Sequence, residues 1–378
     1  MKVRLFKPSL GQEELDAIKD VFERSWLGLG PKVSEFEEAW ANYIGCKVAL
    51  GVNSGTAALH MALAAWGFEP GKKVLVPAMT FISSAMAAIY NRLEPVFVDC
   101  NEGTMGMDLE DLERKITPDC VAIVAVHMGG HPLPLERLKE MARIHKMKIV
   151  EDCAHCAGGE YKGKKLGTWG DIGCFSFEEK KGMTTGDGGM ICSDESDLIN
   201  KVRPMRWLGI DKDTWKRSAL YTNKKADSRH WYYEIHGIGY KYNMNDLAAC
   251  IGLSQLNKLD DFNSKRRSAI GRYLKNLEGI SHVKPLLPYD LSVNSAYWIF
   301  GLRSARRDDL ILHMKRKGIA TGVHYMSLPL HPIFSDHKES TPTANRLSNE
   351  IITLPLFADI RDEEVDYVSR AVQEFYKN

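Results

Sequence analysis

The chain has no run of 18 apolar residues, which excludes a bilayer-spanning helix. Its first residues, Met1-Lys2-Val3-Arg4-Leu5-Phe6-Lys7-Pro8, lack the apolar stretch of a signal peptide, so the expected location is the cytoplasm. Charge of one sign is missing too. Fifty basic against 49 acidic residues leave a formal net charge of +1, with no basic footprint for nucleic acid or for an anionic membrane. The eight cysteines are scattered, several inside apolar runs, and without an export signal they read as reduced, buried thiols. Cys153-Ala154-His155-Cys156 has metal-like spacing, but no second Cys/His pair at a zinc-type distance accompanies it. Packing residues past a strand end are the better reading, and no metal is expected. Internal repeats are absent as well.

What remains is an ordinary globular composition, 44% hydrophobic and 26% charged. A length of 378 residues suggests one large domain and one smaller one. From residue 47 short β-branched runs alternate with helix-period segments. Strands are predicted at 47–52, 73–77, 95–99, 121–126 and 148–152, with helices at 56–66, 82–90, 108–115 and 135–144. Continuous apolar strands between helices argue a mostly parallel sheet covered on both faces. A long amphipathic helix is predicted from residue 246 through 259 and on toward 277, linking the two domains. The last third shows strand patterns at 296–302 and 320–325, then a helix over 362–376. The polar segment 211–229 fits neither period and reads as a surface excursion. The expected division is a large α/β domain over 1–250 and a small α+β domain over 251–378.

Parallel sheets gather ligands at the carboxyl ends of their strands, and the chemically suggestive residues fall there. Asn53-Ser54-Gly55-Thr56 follows one predicted strand and opens a helix, whose N–H groups and dipole suit a phosphate; as a lone motif it could equally be a plain N-cap. Thr80-Phe81 follows the next strand, and Phe81 could cover one face of a flat ring. Glu151-Asp152 ends another, with His155 three residues on and placed to touch such a ring or its phenolic oxygen. Beyond Ser176 come two adjacent lysines, Lys180 and Lys181. The five-residue spacing from Ser176 favours Lys181 as the reactive amine. An amine for a Schiff base, a carboxylate to keep a pyridine nitrogen protonated and a phosphate turn are together what pyridoxal 5'-phosphate requires.

The chain resembles the DegT/DnrJ/StrS sugar aminotransferases, a branch of the fold-type I pyridoxal phosphate enzymes, nearly end to end. The resemblance rests on Trp26-Leu27-Gly28-Leu29-Gly30-Pro31, Asn53 to Leu59, Pro77 to Phe81 and Glu151 to His155. It continues through Gly170 to Phe177, Thr184 to Gly189, Gly239 to Asp246 and Leu354-Pro355-Leu356. It implies an aspartate-aminotransferase-like α/β fold with a large, mostly parallel sheet domain and a smaller C-terminal α+β domain. It further implies that Lys181 carries the cofactor, Asp152 pairs with its ring nitrogen, Phe81 stacks on it, and Ser176 joins Gly55 and Thr56 at the phosphate. A homodimer with shared sites is implied, with Asn243 as the residue reaching the neighbouring phosphate. Departures are His155, where many relatives carry glutamine or glutamate, Glu178-Glu179-Lys180 in place of a His-Pro pair, and Asn243, two positions later than the asparagine of relatives reading Asn-Tyr-Arg.

The expected reaction moves an amino group from L-glutamate, which leaves as 2-oxoglutarate, to a nucleotide-linked keto-sugar. The preferred acceptor is a 4-keto-6-deoxyhexose, for O-antigen or related glycan synthesis, with amination at C3 left open. Related sugar dehydratases carry histidine in place of the lysine, so Lys181 weighs against dehydration. A non-catalytic regulatory relative would have had no need to keep lysine, acid and phosphate turn together.

Overall fold

The structure, a computed structural model, describes residues 1–211 and 231–377. The predicted surface excursion thus lies almost wholly outside the described residues. Seven strands form the central sheet: β1 (Val48–Val52), β2 (Lys73–Pro77), β3 (Glu94–Val98), β4 (Cys120–Val126), β5 (Lys148–Asp152), β8 (Ile172–Ser176) and β9 (Gly189–Ser193). Their order is β1-β9-β8-β5-β4-β2-β3. Every neighbouring pair is parallel except those made by β9, which runs against both β1 and β8. Strands such as Cys-Val-Ala-Ile-Val-Ala-Val in β4 are almost continuously buried, because helices cover both faces and leave no solvent side for a polar alternation. A small hairpin, β6 (Glu160–Tyr161) and β7 (Lys164–Lys165), leaves the sheet between β5 and β8. The helix Gly55–Ala64 packs beneath β8 and β9, with residues 57 to 63 buried throughout.

The C-terminal part carries a second, antiparallel sheet of β10 (Lys284–Pro285), β11 (Phe300–Arg303) and β12 (Ile351–Leu354). Helices Leu259–Asn276 and Asp362–Lys377 pack against each other beside it. The N-terminal segment crosses to this part: Val3 bridges Ile319, and Leu356 N–H donates to the Leu5 carbonyl.

Two sequence expectations are corrected. The long helix over 246–277 is two helices, Asp246–Leu256 and Leu259–Asn276. Asn257 and Lys258 make the break with backbone angles close to helical (φ −63°, ψ −19° and φ −105°, ψ −5°), so the hydrophobic period hardly registers it. The strand pattern at 320–325 forms no strand; Gly322 makes one bridge to Thr353, after which the chain turns toward the central sheet. Among the elements that went unread are helices Gln12–Glu23, Pro31–Ile44, Ser196–Val202 and Arg307–Arg316, and strands β8, β9 and β12.

Candidate active site

Because β9 is reversed, its first residues meet the carboxyl ends of β1, β2, β5 and β8 at one sheet edge. A cavity of about 310 Å³ opens there, lined by Ser54, Gly55, Thr56, Phe81, Asp152, His155, Ser176 and Lys181 among others. Eight of the nine residues singled out in the sequence therefore converge. The ninth does not. Asn243 lies outside the cavity of its own chain, bridging Val52, with its amide on the Met244 carbonyl (3.1 Å) and its Oδ1 accepting from Lys241 Nζ (2.6 Å).

At one end of the cavity β1 feeds helix Gly55–Ala64. Ser54 is the N-cap, its hydroxyl accepting from Ala57 N–H at 3.1 Å. A Cβ on Gly55 would lie 2.8 Å from Ser176 Cβ, so only glycine lets the end of β8 close onto this helix start. The contact brings the Ser176 hydroxyl beside Gly55 and Thr56. Thr56 is held in turn by Ser83, oxygen to oxygen at 2.7 Å.

Asp152 ends β5 and is buried. Its Oδ2 accepts from Ser84 Oγ (2.8 Å) and its Oδ1 from Ala154 N–H (3.2 Å); Ser84 is itself buried and bonded to Thr80 Oγ1 at 3.0 Å. Burial pushes the Asp152 carboxyl above its usual range, and these hydrogen bonds and the nearby Lys181 charge offset that only in part. A buried carboxylate in this state gains by meeting a cation. The preceding residue, Glu151, faces the other way. It accepts from Trp169 N–H (2.7 Å), Gly170 N–H (2.6 Å), Gly167 N–H (3.0 Å) and His127 Nε2 (3.0 Å), fixing the strand end.

The adjacent lysines separate. Lys181 Nζ sits 4.0 Å from the centroid of the Trp298 ring, and Trp298 Nε1 donates to the Lys180 carbonyl at 2.6 Å. Part of Lys181 still faces the cavity, yet the surrounding protein strips enough solvent to lower its amine to about 8, against the field of Asp152. Lys180 stands at the rim, its side chain 52% exposed and ion-paired with Glu178 at 3.3 Å. His155 lies flat on Trp298 (4.3 Å, 12°), with Nε2 2.9 Å from Tyr325 Oη and Nδ1 accepting from Gly129 N–H at 3.4 Å. Phe81 stands 53% exposed at the mouth, 6.0 Å from the Tyr325 ring.

Sequence reasoning missed Ser84, Trp298, His324 and Tyr325. Trp298 falls inside one predicted strand and Tyr325 ends another; neither pattern reveals that the segment points back to the first sheet. The Cys-Ala-His-Cys cluster also gained a companion: atoms of His127, Cys153 and Cys156 lie within 4.8 Å of one another. His127 spends both nitrogens, on Glu151 and on Leu133 N–H, and burial pushes both thiols up, so the trio behaves as packing.

A desolvated amine lowered to about 8, a carboxylate that gains from a cation and a helix start closed by a serine are the complement of pyridoxal phosphate's aldehyde, ring nitrogen and phosphate. Fold and site together define a pyridoxal-phosphate-dependent aminotransferase of the aspartate-aminotransferase-like α/β class. The chain belongs to the DegT/DnrJ/EryC1/StrS aminotransferase family, whose model matches residues 8–373. It is 33% identical to the GDP-perosamine synthase of Escherichia coli O157:H7 over 380 residues, covering 100% of this chain and 99% of that one. Among solved structures, the aminotransferase TlmJ from Streptoalloteichus hindustanus superposes with a TM-score of 0.91 at 30% identity, over 99% of both chains. Spr1654 from Streptococcus pneumoniae in its PLP-form gives 0.90 at 27%, over 100% and 99%. The protein is a sugar aminotransferase by family. No helix among the described residues is long and apolar enough to cross a membrane.

Proposed function

We propose that the enzyme moves the amino group of L-glutamate to the carbonyl of a nucleotide-linked keto-sugar, at C4 of a 4-keto-6-deoxyhexose, for O-antigen or related glycan synthesis in the cytoplasm. The observation that carries the catalytic part is the meeting, in one cavity, of the Lys181 amine at about 8 with the buried Asp152 carboxylate. The sugar-nucleotide part is supported by full-length likeness to a protein whose name specifies a GDP-linked sugar.

The cofactor, when bound, supplies an aldehyde that exchanges amines and an electron-poor ring that delocalises charge from the substrate carbon. Lys181 would hold it, Asp152 would face its ring nitrogen, Phe81 would cover the ring, and Ser54, Gly55, Thr56 and Ser176 would take the phosphate. Lys181 Nζ, once free and neutral, would move the proton from the α-carbon of the amino donor to C4′ of the cofactor, and on the sugar side from C4′ to the sugar carbon. Trp298, itself part of the cavity wall, covers one side of that amine.

The active unit in this reading is a homodimer, with Asn243 reaching the partner's phosphate site. Trp231, Ile235 and Ile238, on the same stretch of chain, are 62%, 65% and 84% exposed, an apolar surface in need of a cover. The chain would divide near residue 250 into a large and a small domain. Incubating the purified enzyme with glutamate and a panel of nucleotide-linked keto-sugars, with products read by mass, tests the whole proposal. A gain of nitrogen on a free amino acid acceptor, with none on any sugar nucleotide, would overturn the substrate class.

A further inference from the structure

Tyr325 enters the cavity from the C-terminal part of the chain, and its hydroxyl has His155 as its only hydrogen-bond partner among the described residues. The direction of that bond follows from the far side of the imidazole. A backbone N–H can only donate, so the bond from Gly129 makes His155 Nδ1 an acceptor. Burial, reinforced by the Lys181 charge, holds the imidazole well below its usual pKa and therefore neutral. Its one hydrogen must then sit on Nε2, 2.9 Å from Tyr325 Oη. The tyrosine oxygen accepts that hydrogen, which frees its own O–H to point elsewhere. Burial, with the negative charges of Asp152 and Glu178, pushes the phenol well above its usual range, so the O–H stays intact.

We propose that Tyr325 is a catalytic residue of this site, its hydroxyl held as an obligate hydrogen-bond donor to an oxygen in the cavity, with His155 as the positioning residue that sets its direction. The inference rests on the aminotransferase reading and deepens it. The acceptor is an oxygen that bears negative charge: the ring oxygen of the cofactor, or the oxygen of the sugar carbonyl as the incoming amine adds to its carbon. Tyr325 donates the hydrogen bond and keeps its proton. Trp298, stacked on His155, and Gly129 together fix the plane of the relay.

Three measurements test this. In the cofactor-free protein, ¹⁵N spectra of labelled histidine should show His155 as the Nε2–H tautomer; an Nδ1–H tautomer overturns the proposal. With cofactor bound and no substrate, Tyr325→Phe should move the pH midpoint of the visible absorbance band if the ring oxygen is the acceptor. The titratable groups facing the relay, Asp152 and Glu178 at the phenol and Lys181, His324 and His127 at the imidazole, are left intact in that variant. If the sugar oxygen is the acceptor, the band stays and kcat falls about 10- to 100-fold with little change in KM, as for one lost hydrogen bond to a charged group. A variant that alters neither band nor kcat overturns the idea. Should Tyr325→Phe fold poorly, His155→Gln can still accept from Gly129 and donate to Tyr325, whereas His155→Leu can do neither. Only the leucine variant should lose the effect, and equal losses in both would reduce His155 to packing. If no keto-sugar is aminated by the wild type, the tautomer arm still decides the relay separately.

Discussion

Replacing Asp152 by asparagine keeps the shape of the side chain and removes its charge. The remaining carbonyl can still accept from Ala154 N–H, and the new amide group can turn to Ser84, whose hydroxyl then accepts instead of donating. Stability should therefore change little, and the cofactor should still bind through the phosphate cradle and Lys181. What is lost is the field on the ring nitrogen. An opposite charge in contact moves a buried group's pKa by about 1 to 3 units, each worth about 1.4 kcal/mol. A loss of about 2 to 3 units is then about 3 to 4 kcal/mol in the step that delocalises charge into the ring, or about 100- to 1,000-fold in turnover. Single-turnover conversion of the bound cofactor by glutamate, followed by absorbance, isolates that half-reaction from sugar binding. Turnover within threefold of wild type, with cofactor bound, would remove Asp152 from the site.

Borohydride trapping followed by peptide mapping should place the cofactor on Lys181, and Lys181→Ala should lose transamination yet still bind pyridoxamine phosphate; label on Lys180 would refute the assignment but not the function. Only a neutral amine attacks an aldehyde, so the rate of cofactor uptake by the cofactor-free enzyme should rise with pH through about 8. Stopped-flow absorbance that shows a midpoint near 10 instead would mean that Lys181 is fully solvated. Because its folded pKa is depressed, the same group should make stability rise with pH between about 8 and the ordinary lysine value of 10.5, a slope that Lys181→Met should abolish in urea titrations. Mixing inactive Lys181→Ala with inactive Asn243→Asp chains should restore roughly a quarter of wild-type activity, since half the random dimers are hybrids with one intact site of two; no recovery, or full activity in a sedimenting monomer, would sink the shared site.

Much of this was legible in the residues themselves. Local periodicity determined the strands that end at Val52, Pro77 and Asp152, because a strand covered on both faces must be apolar throughout. Chemistry placed at those ends inherits one sheet edge from the parallel topology alone. The N-cap at Ser54 and the spacing from Ser176 to Lys181 are likewise local facts. Only the tertiary structure decided which of two neighbouring lysines turns into the cavity, since that depends on Trp298, more than a hundred positions away, offering its ring to Lys181 and its indole N–H to the Lys180 carbonyl. It also decided that β9 runs backwards, that the long helix breaks at Asn257, and that Tyr325 and His155 face each other. Such contacts form between surfaces whose sequence patterns are each explained equally well by burial in an ordinary core. A periodic pattern says that a side chain leaves water; it cannot say which distant side chain it meets when it does.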